Sequence, residues 1–199
     1  MRNEIILASG SDARRAMLDQ AGVVFRTAAP KIDEDSVKAS LVNEGASPRD
    51  IADALAELKA ARVSGQNPDA WVIGSDQVLE LDGKLYSKPK DMTEARAQLT
   101  ALSGKRHKLI SAAVILRDGV PEWRHIGEVR LTMRPVSAAY IDDYLSRMGT
   151  GILATVGCYK LESEGVRLFS RIEGDYFSVL GMPLVEVLAY LTSRGAIAG

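Results

Sequence analysis

The chain predicts an α/β protein built on a mixed β-sheet with flanking helices, and three observations predict it. Short β-rich apolar runs alternate with segments of helical spacing along the 199 residues. Two Asp-Gly steps, Asp82-Gly83 and Asp118-Gly119, each sit between apolar runs, the pattern of a tight hairpin, so some neighbouring strands are antiparallel. Hydrophobic residues make up 46% of the chain, an ordinary globular share that supports a substantial core. The length suits one domain over 1–199, or two small lobes sharing a core.

Glu4 to Ala8 reads as a first strand and Ser9-Gly10-Ser11 as the turn out of it. A helix follows from Asp12 to Ala21, with Ser11 or Asp12 as N-cap and Gly22 as its stop. Val23-Val24-Phe25 reads as a second strand running into Pro30, and Lys31-Ile32-Asp33-Glu34-Asp35 as an acidic loop. Ser47-Pro48 starts a helix, a cap followed by proline at the first helical position, and Ile51, Leu55 and Leu58 share one face of it. Trp71-Val72-Ile73 is a short buried strand, Gly74-Ser75 a small-residue step that delivers Asp76, and Val78 to Leu81 a second strand turning at Asp82-Gly83. Asp91 to Glu94 has capping-box spacing and opens a helix to Leu102, closed by Ser103-Gly104. His107 to Leu116 and Trp123 to Met133 are strands joined at Asp118-Gly119, and Ser137 caps a helix to Arg147. Thr150 to Glu164, mixing glycine, threonine and acidic residues, is a loop or ligand-facing region, followed by a short strand from Leu168 to Ile172. The last helix, Pro183 to Ser193, is apolar at Leu184, Val187, Leu188 and Leu191 and stops at Gly195. No internal repeat, low-complexity run or interdomain linker interrupts the chain.

A formal net charge of −1 gives no global field for nucleic acid or an anionic membrane, so neither is expected as a partner and phosphate recognition has to be local. The single cysteine, Cys158, excludes an internal disulfide framework and a cysteine-rich zinc site, and fits a reducing, cytoplasmic setting. No apolar run approaches the ~20 residues that span a bilayer, and MRNEIILASGS has too short an apolar core for a secretory leader.

Several groups suit phosphate chemistry, each beside a plainer reading. Arg14 and Arg15 fall in the first turn of the first helix, where the dipole disfavours cations. They make sense if an anion docks there on backbone N–H groups and guanidinium forks, or else they point into solvent. The turn before them is not a Walker A sequence, and the chain holds no G-x-G-x-x-G. Asp33, Glu34 and Asp35 suit a hard divalent cation, or form a solvated loop. Lys59, one position past its helix's apolar stripe, either enters a cleft or snorkels along the surface. The central hairpin returns Lys88-Pro89-Lys90 towards the end that carries Asp76, setting an acid and two ammonium groups at a common rim. That layout suits a polyanion carried with a metal ion; alternatively Asp76 caps a turn and the lysines are surface. His107 and His125 read as structural or solvated, and Cys158 as a small core residue with no histidine partner in a recognisable motif.

Taken in order and spacing, Leu7-Ala8-Ser9-Gly10-Ser11 with Arg14-Arg15, Ile32-Asp33-Glu34, Val72-Ile73-Gly74-Ser75-Asp76, Ser87-Lys88-Pro89, Leu102-Ser103-Gly104 with His107, and Ile172-Glu173-Gly174 with Gly181-Met182-Pro183-Leu184 form one pattern. The chain resembles, nearly end to end, the Maf family of nucleoside triphosphate pyrophosphatases. It departs from that family at Asp12-Ala13, where a proline-containing step is usual, and at Ser87, where glycine is usual. Neither departure removes a charged group. The resemblance implies a two-lobed fold like that of inosine triphosphate pyrophosphatases, with a nucleotide in the cleft, a homodimer, and hydrolysis of a nucleoside triphosphate to the monophosphate and pyrophosphate. It also implies a divalent metal, Mg2+ or Mn2+, taken by Asp76 and Glu34. By position, Asp76 would be the general base with Glu34 beside it, Lys88 a catalytic cation, and Ser9, Arg14 and Lys59 phosphate-binding groups. Family members acting on dTTP and UTP typically carry Thr after the catalytic Asp and Gln in a late loop. Those preferring 7-methyl-GTP carry Gln and Glu there, and a bulky aromatic where this chain has Ala13. This chain has Gln77 and, counting from Tyr159, Glu162, with Glu164 close enough to compete. The resemblance thus points to 7-methyl-GTP or a related modified purine, with dTTP or UTP as the alternative. A rival of another class is a nucleotide-binding regulator of cell division without turnover. An inosine-triphosphate-type house-cleaning enzyme is reached only by analogy of fold.

Overall fold

A computed structural model describes residues 4–199. Met1, Arg2 and Asn3, part of the segment read above for a leader, lie outside the described residues. The order of elements is β1 (Ile5–Ala8), α1 (Asp12–Gln20), β2 (Arg26–Thr27), α2 (Glu34–Asn43), α3 (Pro48–Ser64), β3 (Trp71–Leu81), β4 (Lys84–Tyr86), α4 (Met92–Leu102), β5 (Arg106–Arg117), β6 (Val120–Met133), α5 (Ala138–Met148), β7 (Phe169–Glu173), α6 (Tyr176–Val179) and α7 (Leu184–Ser193). Strands lie in the order β2-β1-β3-β5-β6-β7, with β4 paired to β3. The pairs β1–β2 and β1–β3 are parallel while β3–β4 and β6–β7 are antiparallel, so the sheet is mixed, as the alternation and the Asp-Gly steps predict.

Both hairpins form where expected, each on a two-residue loop with both residues left-handed: Asp82 and Gly83 at φ 53° and 78°, Asp118 and Gly119 at 50° and 76°. Type I′ geometry demands this, and it matches the strand twist. Helix starts are equally local. Ser11, Ser47, Asp91 and Ser137 each cap the next helix by accepting a backbone N–H three residues on.

The chain divides into two compact units. The first comprises the described part of Met1–Gln77 with Ser111–Gly127 and Tyr176–Gly199; the second comprises Val78–Ile110 and Glu128–Asp175. In the first, Met17 and Leu18 of α1 and Leu184, Val187 and Leu191 of α7 pack with Ile5, Leu7, Trp71, Ile73, Ala113 and Ile115. Helix α3 covers β3 from the other side, close enough that a Cβ on Gly74 would lie 2.1 Å from the Ala56 carbonyl oxygen and 2.8 Å from the Ala60 Cβ. Because side chains alternate along a strand, Ile73, Ser75 and Gln77 share the face towards α1 and α7, and Gly74 and Asp76 share the face towards α3. In the second unit His107, Tyr159 and Phe169 form an aromatic cluster, and Cys158 is buried beside Gln98. No helix among the described residues is long and apolar enough to cross a membrane.

The structure corrects four expectations. Val23 to Phe25 is not a strand; the strand is Arg26–Thr27, and Val24 is 89% exposed. The acidic stretch is not a loop but the start of α2: Asp33 is its N-cap, taking the Ser36 N–H at 3.1 Å, and Glu34 and Asp35 occupy the first turn, which the dipole favours. Gly74-Ser75 does not break β3, which runs unbroken from Trp71 to Leu81 because β1 and β5 bond it on either side. Asp76 is therefore inside a strand and not at a strand end, and β4 reaches back only to Leu79. Lys59 is not at the edge of a stripe: Ile51, Ala52, Leu55, Ala56, Lys59, Ala60 and Val63 are all buried on one face of α3, and Leu58 is half-exposed.

Candidate functional site

The site is built on Asp76, which is 6% exposed on the α3 face of β3. Gly74, one step earlier on that face, lets α3 approach, and α3 delivers the Lys59 ammonium to 2.7 Å from Asp76 Oδ1. The same ammonium lies 2.7 Å from Glu34 Oε2, brought by the first turn of α2. Lys59 and Asp76 are both nearly inaccessible, with side-chain exposures of 6% and 9%. Removing one partner of such a buried pair costs about 3–5 kcal/mol, because the other charge is left without compensation. Glu34 stays half-exposed, so its share of the bridge is the more easily exchanged.

The end of β1 supplies the second part. Ala8 lies opposite Gly74 in the parallel register, so Ser9 leaves the carboxyl end of β1 alongside Ser75 and Asp76, which lie within β3. Ser9 Oγ accepts the Ser11 N–H at 3.2 Å and an Arg14 Nη1–H at 3.2 Å. Arg14 Nε donates to the Gly181 carbonyl at 2.8 Å. Burial pulls the Arg14 guanidinium below the ordinary arginine value, opposed by the nearby carboxylates of Asp76 and Glu34. Arg15 turns outward to an exposed pair with Asp12, so the two adjacent arginines part as helix geometry requires. Ala13 is half-buried in the first turn of α1.

The first unit thus gathers Ser9, Arg14, Glu34, Lys59 and Asp76. Lys88 and Glu162 belong to the second unit, Lys88 exposed after β4 and Glu162 exposed in a turn. Glu164 Oε2 is taken by Arg147 Nε at 2.9 Å. Gln77 follows Asp76 on the opposite face of β3, its Nε2 bonded to Ser111 Oγ at 2.9 Å and to the Ser178 and Val179 carbonyls at 3.0 Å each.

Two groups escaped the sequence. Lys38 lies four residues after Glu34 on α2, hence on the same helix face. It is half-buried, and burial pulls its ammonium below the ordinary lysine value against the carboxylates of Asp76 and Asp35. Reading Asp33 as an N-cap would have revealed the Glu34–Lys38 spacing. Ser75 was read only as a small residue, but its hydroxyl contacts the Ala112 and Gly181 carbonyls at 2.8 and 2.9 Å. A divalent metal fits Asp76 and Glu34, two hard oxygen donors already converging on one cation. Among the described residues no cluster of three or more His, Cys, Asp or Glu donors exists, so water and phosphate oxygens would complete the shell, as is usual for Mg2+.

A family model described as "Maf-like protein" matches residues 4–194. The chain is 54% identical over 197 residues to a nucleoside triphosphate pyrophosphatase of Ruegeria sp. (strain TM1040), covering 99% of both chains. It is 56% identical over 195 residues to another protein of that name from Roseobacter denitrificans, covering 98% of both. It is 48% identical over 197 residues to a 7-methyl-GTP pyrophosphatase of Rhizobium meliloti, covering 99% of both. Similarity of this extent embraces every element from β1 to α7, and the chain belongs to the Maf family.

Proposed function

We propose that the chain hydrolyses a nucleoside triphosphate between its α- and β-phosphates, releasing the nucleoside monophosphate and pyrophosphate, with 7-methyl-GTP or a related modified purine preferred. The observation that carries this reading is a buried carboxylate, Asp76, held by Lys59 at 2.7 Å and within the field of Arg14. The names of the relatives support it. Lys59 engages Oδ1 of Asp76, and Oδ2 is the oxygen that orients a water and takes its proton. The water oxygen bonds to the α-phosphorus, the bond from that phosphorus to the bridging oxygen breaks, and the electron pair leaves with pyrophosphate. Arg14 and Lys59, with Lys88 by the family pattern, meet the charge that develops on the leaving group. A divalent cation held by Asp76 and Glu34 would neutralise phosphate oxygens and add to that stabilisation.

For the base, Glu162 is the better candidate of the two late-loop carboxylates, because Arg147 already holds Glu164. A 7-methylguanine ring is cationic and offers N–H donors, which a carboxylate favours. A pyrimidine carbonyl facing that carboxylate is disfavoured by roughly 1–3 kcal/mol. The test is pyrophosphate release, as kcat/KM, for 7-methyl-GTP, dTTP and UTP side by side, with Glu162→Gln eroding the preference. A clear preference for dTTP or UTP overturns the assignment of the base. No pyrophosphate from any nucleotide overturns the activity. The family's homodimer is part of the proposal, checked by sedimentation equilibrium of the purified chain.

A further inference from the structure

We infer that Gln98 is a positioning residue for Lys88: from the buried face of α4 its amide holds the Ser87 carbonyl, and so fixes the peptide from which Lys88 projects. This rests on the role proposed above for Lys88. The geometry is independent of that role, and every contact it uses lies within the second unit.

Helix α4 buries Ala95, Gln98, Leu99 and Leu102, spaced as the stripe that a helix turns to a core. Gln98 is the one polar member of that stripe and is 5% exposed. An amide in such a place is costly unless both of its ends are bonded. Gln98 meets that condition: Nε2 donates to the Ser87 carbonyl at 2.9 Å, and Oε1 accepts from the Cys158 thiol at 3.5 Å. Burial, with the Glu94 carboxylate adding to it, pushes that thiol up to about 12, so it keeps its proton and donates. A carbonyl on one side and a thiol donor on the other give the amide one orientation, nitrogen towards Ser87. Cys158 is itself a fixed point. It is wholly buried, and Tyr159, next in the chain, has its hydroxyl 2.8 Å from His107 Nε2.

The Ser87 carbonyl and the Lys88 N–H belong to one planar peptide, so a bond to the carbonyl fixes the plane that leads into the Lys88 Cα. Pro89, which is buried, restricts Lys88 from the other side to extended backbone. The segment is then tied to α4 a second time. The Lys90 N–H donates to Glu94 Oε2 at 2.9 Å, and Asp91 accepts the Glu94 N–H at 2.8 Å. Lys88 therefore stands between two anchors on one helix, Gln98 before it and Glu94 after it. Its side chain is long and exposed, so where the ammonium reaches depends on the backbone it starts from.

The test joins a double-mutant cycle of Gln98→Met and Lys88→Ala, read as kcat/KM for 7-methyl-GTP, dTTP and UTP, to 15N relaxation of the substrate-free protein. Gln98→Met should lower kcat/KM roughly 3- to 10-fold for all three nucleotides alike, and change it by less than ~2-fold once Lys88 is Ala. The order parameter of the Lys88 amide should fall in Gln98→Met from about 0.85 towards about 0.6. That of Lys90, held by Glu94, should not change, a pattern that a general loss of stability does not produce. Should Gln98→Met not fold, Cys158→Ala and Cys158→Ser decide in its place. Alanine removes the donor that orients the amide and should lower the Lys88 order parameter; serine retains a donor and should not. A loss that differs between nucleotides, one that adds in full to that of Lys88→Ala, an unchanged Lys88 order parameter, or equal behaviour of the two Cys158 variants overturns the inference. Should the unaltered chain release no pyrophosphate, or Lys88→Ala cost nothing, the role proposed for Lys88 fails, and its order parameter still decides whether Gln98 holds it.

Discussion

At the scale of single residues, Asp76 neutralises a buried ammonium and, in the proposed reaction, also takes a proton. Asp76→Asn keeps the size and fold, and should lower kcat by at least ~100-fold because an amide does not accept the water's proton. It should also cost about 1–3 kcal/mol of stability, less than the loss of a whole buried pair, since Lys59 loses one of two carboxylates at 2.7 Å and keeps the half-exposed Glu34. Near-normal pyrophosphate release from the purified variant would count against Asp76 as the base. Arg14 and Arg15 offer a cleaner contrast. Arg14 is 8% exposed and bonded to Ser9 and Gly181, whereas the Arg15–Asp12 pair is on the surface. Arg14→Ala should lower kcat/KM by ~10- to 100-fold for every nucleotide, and Arg15→Ala by less than ~2-fold. A larger loss for Arg15→Ala in the same assay would reverse the assignment.

At the scale of elements, the approach of α3 to β3 decides whether Lys59 reaches Asp76 at all. A methyl on Gly74 would collide with the Ala56 carbonyl, backbone that cannot rotate aside, so α3 has to move outward. Gly74→Ala should therefore cost about 1–3 kcal/mol of stability and lower kcat by more than ~10-fold, although residue 74 touches no substrate. Urea denaturation with steady-state kinetics checks both, and a variant of unchanged stability and rate would show that α3 is not set by this contact. Elements also differed in how well their sequence announced them. The helices with a Ser or Asp cap and a buried stripe, α1, α3, α4 and α5, were legible because cap and stripe are local patterns. Helix α2 was not, because it buries no residue and so shows no apolar period. Strand β3 read as two pieces because Gly-Ser-Asp is turn chemistry in isolation, and only its sheet neighbours hold it extended.

At the scale of the whole molecule, one contribution to acid stability comes from a group outside the proposed chemistry. His107 is 1% exposed, its Nε2 lies 2.8 Å from the Tyr159 hydroxyl, and its Nδ1 is buried without a partner. Burial lowers its pKa from 6.5 to about 4. A histidine depressed on folding adds stability that is complete above the unfolded value and is lost as pH falls through the folded one. The stability gap between pH 7 and pH 4 should therefore include roughly 3 kcal/mol from His107. His107→Gln, which cannot take up that proton, should narrow the gap by about this amount in urea titrations at the two pH values. An unchanged gap would assign the acid sensitivity to other groups. Tyr159, its partner, opens the late loop that carries Glu162, so the same experiment run with kinetics reports on that loop.

The sequence by itself determined the fold class, both hairpin turns, the main caps and the identity of the charged groups, because each depends on residues within a few positions of one another. The order and spacing of short motifs also sufficed for the family. Only the tertiary structure decided that Lys59 is buried and bridges Asp76 to Glu34, that Arg14 and not Arg15 turns inward, that Lys38 lies in the field of Asp76, and that the Gln77 nitrogen is engaged by backbone. These are contacts between residues 17 to 167 positions apart. Their geometry is set by how α3 and the turn before α7 seat on β3, and that seating depends on the shape of surfaces such as Gly74 against Ala56, which no local pattern records.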